Sequence, residues 1–205
     1  MKKTIIPLFL LLTLVLACGP TAEQQTANET EPKTEEPTTD NAATEAPSSE
    51  ETSYTVIKDG IPSPRMQMKG QIGGTTVTVV YGSPSVKGRE IWGALVPYGK
   101  VWRTGANEAT TIELSGNAKI GGEELAAGKY ALFTKNEADK STIIFNKTHE
   151  QWGAYDYNDG EDAMRIVVVP TDLEENVEKM TFVIEGNALV LQWAKRAIAI
   201  PFSAG

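Results

Sequence analysis

Met66-Gln67-Met68-Lys69-Gly70-Gln71-Ile72-Gly73-Gly74-Thr75-Thr76-Val77-Thr78-Val79-Val80-Tyr81 decides the architecture of this chain. Before the glycine pair, Met66 and Met68 alternate with Gln67 and Lys69. After it, Val77, Val79 and Tyr81 share one face. A period of two marks a strand with one buried side. Gly73-Gly74 between two such runs is a hairpin signal, because both central residues can take the positive φ that a tight β-turn needs.

Working outward, the same device recurs at Gly121-Gly122 and at Gly186-Asn187. Further strands are expected at 109–114, 129–134, 142–146, 164–169, 180–185, 189–193 and 197–202. Leu189, Leu191 and Trp193 point one way in their run, and Ile198, Ile200 and Phe202 share a face in theirs. About nine short strands at hairpin spacing, with no long amphipathic helix, predict an all-β, antiparallel β-sandwich of jelly-roll-like or Ig-like type over residues 61–205.

Upstream the texture is different. Lys2 and Lys3 precede an apolar run at 5–16, and Val15-Leu16-Ala17 leads to Cys18. The run falls short of the roughly 20 apolar residues a spanning helix needs, so residues 1–18 read as a secretory signal. Its end resembles a bacterial lipobox, with Cys18 as the lipidated residue. Cys18 is the only cysteine, so an intramolecular disulfide is excluded. The chain is therefore expected in the cell envelope, anchored to a membrane through Cys18. Gly19 is compatible with outer-membrane sorting.

Residues 19–60 are expected to form a disordered acidic linker. From 19 to 52 there is no aromatic residue and no Ile, Leu, Val or Met, so too little apolar surface is available to offset the entropy of ordering. The net charge of −8 belongs to this stretch, since residues 21–60 hold ten acids against two bases. Residues 61–205 hold seventeen acids and fifteen bases, which leaves no basic footprint for nucleic acid.

Two segments break the strand rhythm, 83–107 and 149–162, and long excursions from a β scaffold are where binding function sits. The first contains Ser83-Pro84-Ser85-Val86-Lys87-Gly88-Arg89-Glu90-Ile91-Trp92-Gly93 and Leu95-Val96-Pro97-Tyr98-Gly99-Lys100-Val101-Trp102-Arg103-Thr104-Gly105-Ala106-Asn107-Glu108. With Leu125-Ala126-Ala127-Gly128-Lys129-Tyr130-Ala131-Leu132-Phe133, Ile144-Phe145-Asn146-Lys147 and Gln151-Trp152-Gly153-Ala154-Tyr155, these strings resemble the family known as domain of unknown function 2911. The resemblance runs over 62–202. It implies an exported protein of Bacteroidetes type and carries no catalytic residues with it.

Arginine beside tryptophan offers bidentate donors and a cation–π face for a carboxylate or phosphate. Arg103, Asn107, Trp152 and Tyr155 are expected to converge on one concave surface at an end of the sandwich, with Trp102, Glu108 and His149 completing the ligand-binding set. The bland alternative is that Trp92, Trp102 and Trp152 only anchor the loops, with Arg103 paired to Asp156. His149 is the only histidine, and no metal or cofactor is expected. The string from Asp156 to Asp162 fails as a calcium loop: counted from Asp156, glycine falls at the fifth position and Val167 at the twelfth. It reads as a turn. No Gly-x-Ser-x-Gly elbow is present.

The leading expectation is a non-enzymatic envelope lipoprotein binding a small polar ligand, a glycan or a protein partner. The alternatives are a carbohydrate-acting hydrolase using Glu108 or Asp156 with Arg103, and a structural assembly subunit.

Overall fold

A computed structural model describes residues 51–203. The signal and lipobox at 1–18, with Cys18, and the linker as far as residue 50 lie outside the described residues. Twelve strands make up the fold: β1 (Ser53–Lys58), β2 (Arg65–Ile72), β3 (Thr75–Gly82), β4 (Val101–Trp102), β5 (Thr111–Leu114), β6 (Ala118–Ile120), β7 (Glu123–Leu125), β8 (Gly128–Asn136), β9 (Ser141–Asn146), β10 (Asp162–Val168), β11 (Thr171–Glu185) and β12 (Ala188–Ser203). Among the described residues there is no α-helix, only one 3-10 turn at Asp159–Glu161. None is therefore long and apolar enough to cross a membrane.

Every pairing within the two sheets is antiparallel. The larger sheet runs β1-β2-β3-β5-β8-β9-β10 with β4 also on β8, and the smaller runs β11-β12-β6-β7. The hairpin around Gly73-Gly74 forms in the register its alternation requires, with Met68 opposite Val79 and Met66 opposite Tyr81. Opposed residues point to the same face, so Met68, Val79 and Tyr81 are buried together. They meet Met180, Phe182, Leu191 and Ile200 of the smaller sheet in one apolar core, and the Tyr81 ring stands edge-on to Phe182 at 5.0 Å. This is the sandwich that the alternation predicts.

The linker ends earlier than expected. Residues 53–58, read as part of it, form β1 and pair with β2. All six are exposed, so no in–out pattern betrays them. The β-branched and aromatic run Tyr54-Thr55-Val56-Ile57 has the composition of a strand, and backbone pairing holds it on the sheet edge.

The runs at 189–193 and 197–202 belong to one strand, β12, which doubles back on itself. Fifteen residues of extended chain would span roughly 50 Å, yet the Phe202 amide donates to the Asn187 carbonyl at 2.7 Å. The reversal falls by Ala194, whose φ is +52°. It allows the odd positions Leu189, Leu191 and Trp193 and the even positions Ile198, Ile200 and Phe202 to enter the same core.

β8 is covered on both faces. Tyr130 and Leu132 face the smaller sheet, whereas Ala131 and Phe133 lie with Ala109 and Ile144 in a second apolar cluster. Ala154 and Tyr157 of the second excursion cover that cluster, so this excursion lies across the outer face of the larger sheet.

Candidate functional site

The first excursion is fixed to the smaller sheet before it returns. Ser83 Oγ donates to the Met180 carbonyl at 2.7 Å, and the Val86 amide donates to the Glu178 carbonyl at 2.8 Å. Beyond these, Trp92, Trp102 and Trp193 form a cluster. Trp102 stacks on Trp193 with centroids 5.9 Å apart, and Trp92 meets both edge-on. Arg196 lies over Trp92, 5.1 Å from the ring centroid. Trp92 and Trp102 thus anchor the loop, as the bland alternative holds. Trp152 does not, being 57 % exposed.

Between Trp102 and Thr111 the chain adopts costly backbone. Thr104 takes a φ of +55°, rare for a β-branched residue, and Asn107 takes +66°, which asparagine adopts more readily. The Thr104 carbonyl accepts from Thr110 Oγ1 at 2.8 Å, and the Ala106 amide donates to the Gly82 carbonyl at 3.2 Å. These bonds hold Arg103 and Asn107 on a rigid loop.

The two excursions meet by strand-like pairing. The Ala109 amide donates to the Gln151 carbonyl at 3.0 Å and the Gly153 amide to the Asn107 carbonyl at 3.1 Å, with Glu108 opposite Trp152. The meeting line is flanked by hollows. A cleft of about 440 Å³ is lined by Arg65, Glu108, Lys129, His149, Gln151 and Trp152, among others. A chamber of about 290 Å³ is lined by Ser63, Arg89, Trp102, Arg103, Asn107 and Trp193, among others. A third hollow of about 280 Å³ shares Arg65, Glu108 and Trp152 with the cleft, and Ser63 and Asn107 with the chamber. The three hollows are neighbours through these shared residues, and together they are called the groove.

The family model described as Protein of unknown function (DUF2911) matches residues 63–202, from the approach to β2 through nearly all of β12. The chain belongs to the DUF2911 family. No curated protein and no solved structure gives a significant match. Both excursions of the DUF2911 domain, and every residue of the groove except Lys58, Ile61 and Pro62, fall inside the matched span.

Within the DUF2911 domain the expected site residues divide between the hollows. Trp102, Arg103 and Asn107 line the chamber, while Glu108, His149 and Trp152 line the cleft. Tyr155 is 85 % exposed and lines none of the three. Arg103 makes no ion pair with Asp156 or with any other acid among the described residues. Burial lowers the pKa of its guanidinium, and the Tyr155 phenol acts in the opposite sense. Glu108 is occupied by Arg65, whose Nη1 lies 2.9 Å from Oε2.

Arg65, Lys129 and Trp193 escape sequence reasoning because they sit on strands, where alternation gives them only a structural place. For Arg65 and Lys129 the available signal is a long cation on a residue pointing away from the core. For Trp193 it is the indole N–H, a donor that a core position must match. Four buried side-chain polar atoms of the described residues have no partner: Arg103 Nε, His149 Nδ1, Gln151 Oε1 and Trp193 Nε1. All four residues line the cleft or the chamber.

Proposed function

We propose that this DUF2911 protein is an envelope lipoprotein of Bacteroidetes type, held to a membrane through Cys18, whose sandwich binds a small polar ligand in the groove between its two excursions. One observation carries the binding reading. Buried polar groups in folded proteins are nearly always matched, and the four that are unmatched here all belong to residues of this groove. Each atom is closed to solvent in the unliganded groove, so a ligand with both donors and acceptors completes them through side-chain adjustment at the groove wall. A sandwich with a rigid, strained loop at the rim suits recognition, since the groove then needs little ordering on binding.

The hydrolase alternative has one observation in its favour: Glu108 and Glu150 both line the cleft. Arg65 engages one oxygen of Glu108, which suits a recognition contact better than a free base. Asp156 lines none of the three hollows.

The test is a thermal-shift screen of the full chain against neutral sugars, amino acids and small organic acids, repeated on Arg103→Ala. Arg103 has no carboxylate partner among the described residues, so removing its guanidinium strands no buried charge and should leave the unliganded melting temperature within about 4 °C of wild type, a cost of about 1 kcal/mol or less. Stabilisation by the hits should fall in the variant. A screen in which no compound stabilises the wild type, or in which both proteins respond alike, would falsify the groove as a ligand site.

A further inference from the structure

We infer that the chamber beneath the Arg103 loop is an anion site, taking a small molecule that ends in a carboxylate or phosphate. This rests on the groove being a ligand site and names the chemistry of one part of it.

The charge balance of the chamber is one-sided. Arg89 and Arg103 line it, and no Asp or Glu does. Arg65 and Arg165 are each held by a carboxylate, of Glu108 and Asp162. Among the described residues Arg103 has none, and Arg89 donates only to the carbonyls of Ser85 and Val86. A half-buried guanidinium loses hydration that nothing in the protein restores, and an oxyanion is the partner that restores it most fully.

The unmatched atoms of the chamber agree in type. Arg103 Nε and Trp193 Nε1 are both N–H donors, and Trp193 is only 1 % exposed. Two orphaned donors call for an acceptor-only group, which is what an ionised carboxylate or phosphate is. Ser63 and Asn107 add side chains able to donate to further oxygens. A neutral ligand would satisfy the donors and leave the charge unbalanced. At about 290 Å³ the chamber lies at the lower end for ligand pockets, so the anion is a small one.

Nuclear magnetic resonance on the full chain reads this directly through the indole N–H signal of Trp193 and the Nε–H signal of Arg103. Three probes are titrated at constant ionic strength: inorganic phosphate, benzoate, and benzamide as the neutral counterpart of benzoate. Phosphate, benzoate or both should shift the two signals in a saturable way, while benzamide at equal concentration leaves them in place. A response to phosphate alone assigns a phosphate-bearing ligand, and a response to benzoate alone assigns a carboxylate. Arg103→Gln and Arg89→Gln should each weaken the responding probe about tenfold, as expected for one charge-assisted contact.

Equal responses to benzoate and benzamide would overturn the anion assignment while leaving a polar-ligand groove. So would silence of all three probes at Trp193 when a sugar or amino acid from the wider panel still stabilises the protein. Silence of the probes together with an empty panel would remove both readings. If Arg103→Gln fails to fold, the comparison of benzoate with benzamide on the wild type still decides.

Discussion

Single residues show where the acidic string of the second excursion is spent. Asp162 accepts from Tyr157 Oη at 2.8 Å, from Asn146 Nδ2 at 2.7 Å and from Arg165 Nε at 2.5 Å, so its carboxylate ties the excursion to β9 and β10. The Tyr157 ring in turn stands edge-on to Phe133 at 5.1 Å. This explains why the turn reading of 156–162 is the better one: its buried acid is consumed by the fold. Burial, and then the hydrogen bond to Asp162, push the Tyr157 phenol up to about 12. A folded-state value above the ordinary 10 means that the folded protein resists losing this proton. The stabilisation is fully present below pH 10 and is lost as the pH rises through about 12. Tyr157→Phe should therefore flatten the fall in melting temperature between pH 10 and pH 12 relative to wild type. Lysine titration is common to both proteins and cancels in the comparison. Parallel curves over that interval would show that the phenol does not titrate as its surroundings require.

Among the elements, β3 and the loop 103–110 depend on each other through an approach of bare backbone. A Cβ added at Gly82 would lie 2.2 Å from the Ala106 carbonyl oxygen, and one added at Gly105 would lie 3.0 Å from the Gly82 oxygen. Backbone atoms cannot swing aside as a flexible side chain can, so the loop itself would have to move. Gly82→Ala should cost about 1–3 kcal/mol, the range for overpacking, and lower the melting temperature by about 3–10 °C. Gly116→Ala is the control, because the nearest atom to its new Cβ is Thr75 Oγ1 at 3.8 Å. If Gly82→Ala and Gly116→Ala melt alike, the close seating of the loop is wrong. The same change should weaken any ligand held by Arg103, because Ala106, which the new Cβ strikes, is part of the chamber wall. Sequence reading reaches these elements unevenly. Eight strands were legible from period two, composition and the glycine pairs, although only 180–185 of β11 was read, because its first nine residues include no buried position. β4, β6 and β7 have only two or three residues each, too few for a period to be read, and β1 has no buried face at all. The reversal of β12 left a trace in the switch from buried odd to buried even positions, but such a switch fits two strands as well as one strand folded back.

For the whole molecule, the sequence pointed to two excursions sharing one concave surface, but not to the strand residues that line the hollows beside them. Strand rhythm marks where the chain leaves the sheets, so Arg103, Asn107 and Trp152 stood out locally. Their partners Arg65, Lys129 and Trp193 come from β2, β8 and β12, brought near only by the sheet order and by packing of the two sheets. No local pattern encodes that meeting. The proposed anchor is the opposite case, since its signal is entirely local: Lys2 and Lys3, an apolar run, and a unique cysteine where the run ends. If Cys18 carries a diacylglycerol, two acyl chains hold the protein stably, whereas one chain alone binds a membrane only marginally. Loss of the thiol should then be all-or-none rather than graded. The full chain and its Cys18→Ser variant are to be expressed in a bacterium with lipoprotein-processing enzymes and followed by palmitate labelling and membrane fractionation. Wild type should incorporate label and sediment with membranes. Cys18→Ser should incorporate none and leave the membrane fraction, or accumulate uncleaved and unlabelled. A Cys18→Ser protein that is still labelled and still sediments as a mature chain would mean that something other than this cysteine holds the DUF2911 domain at the membrane.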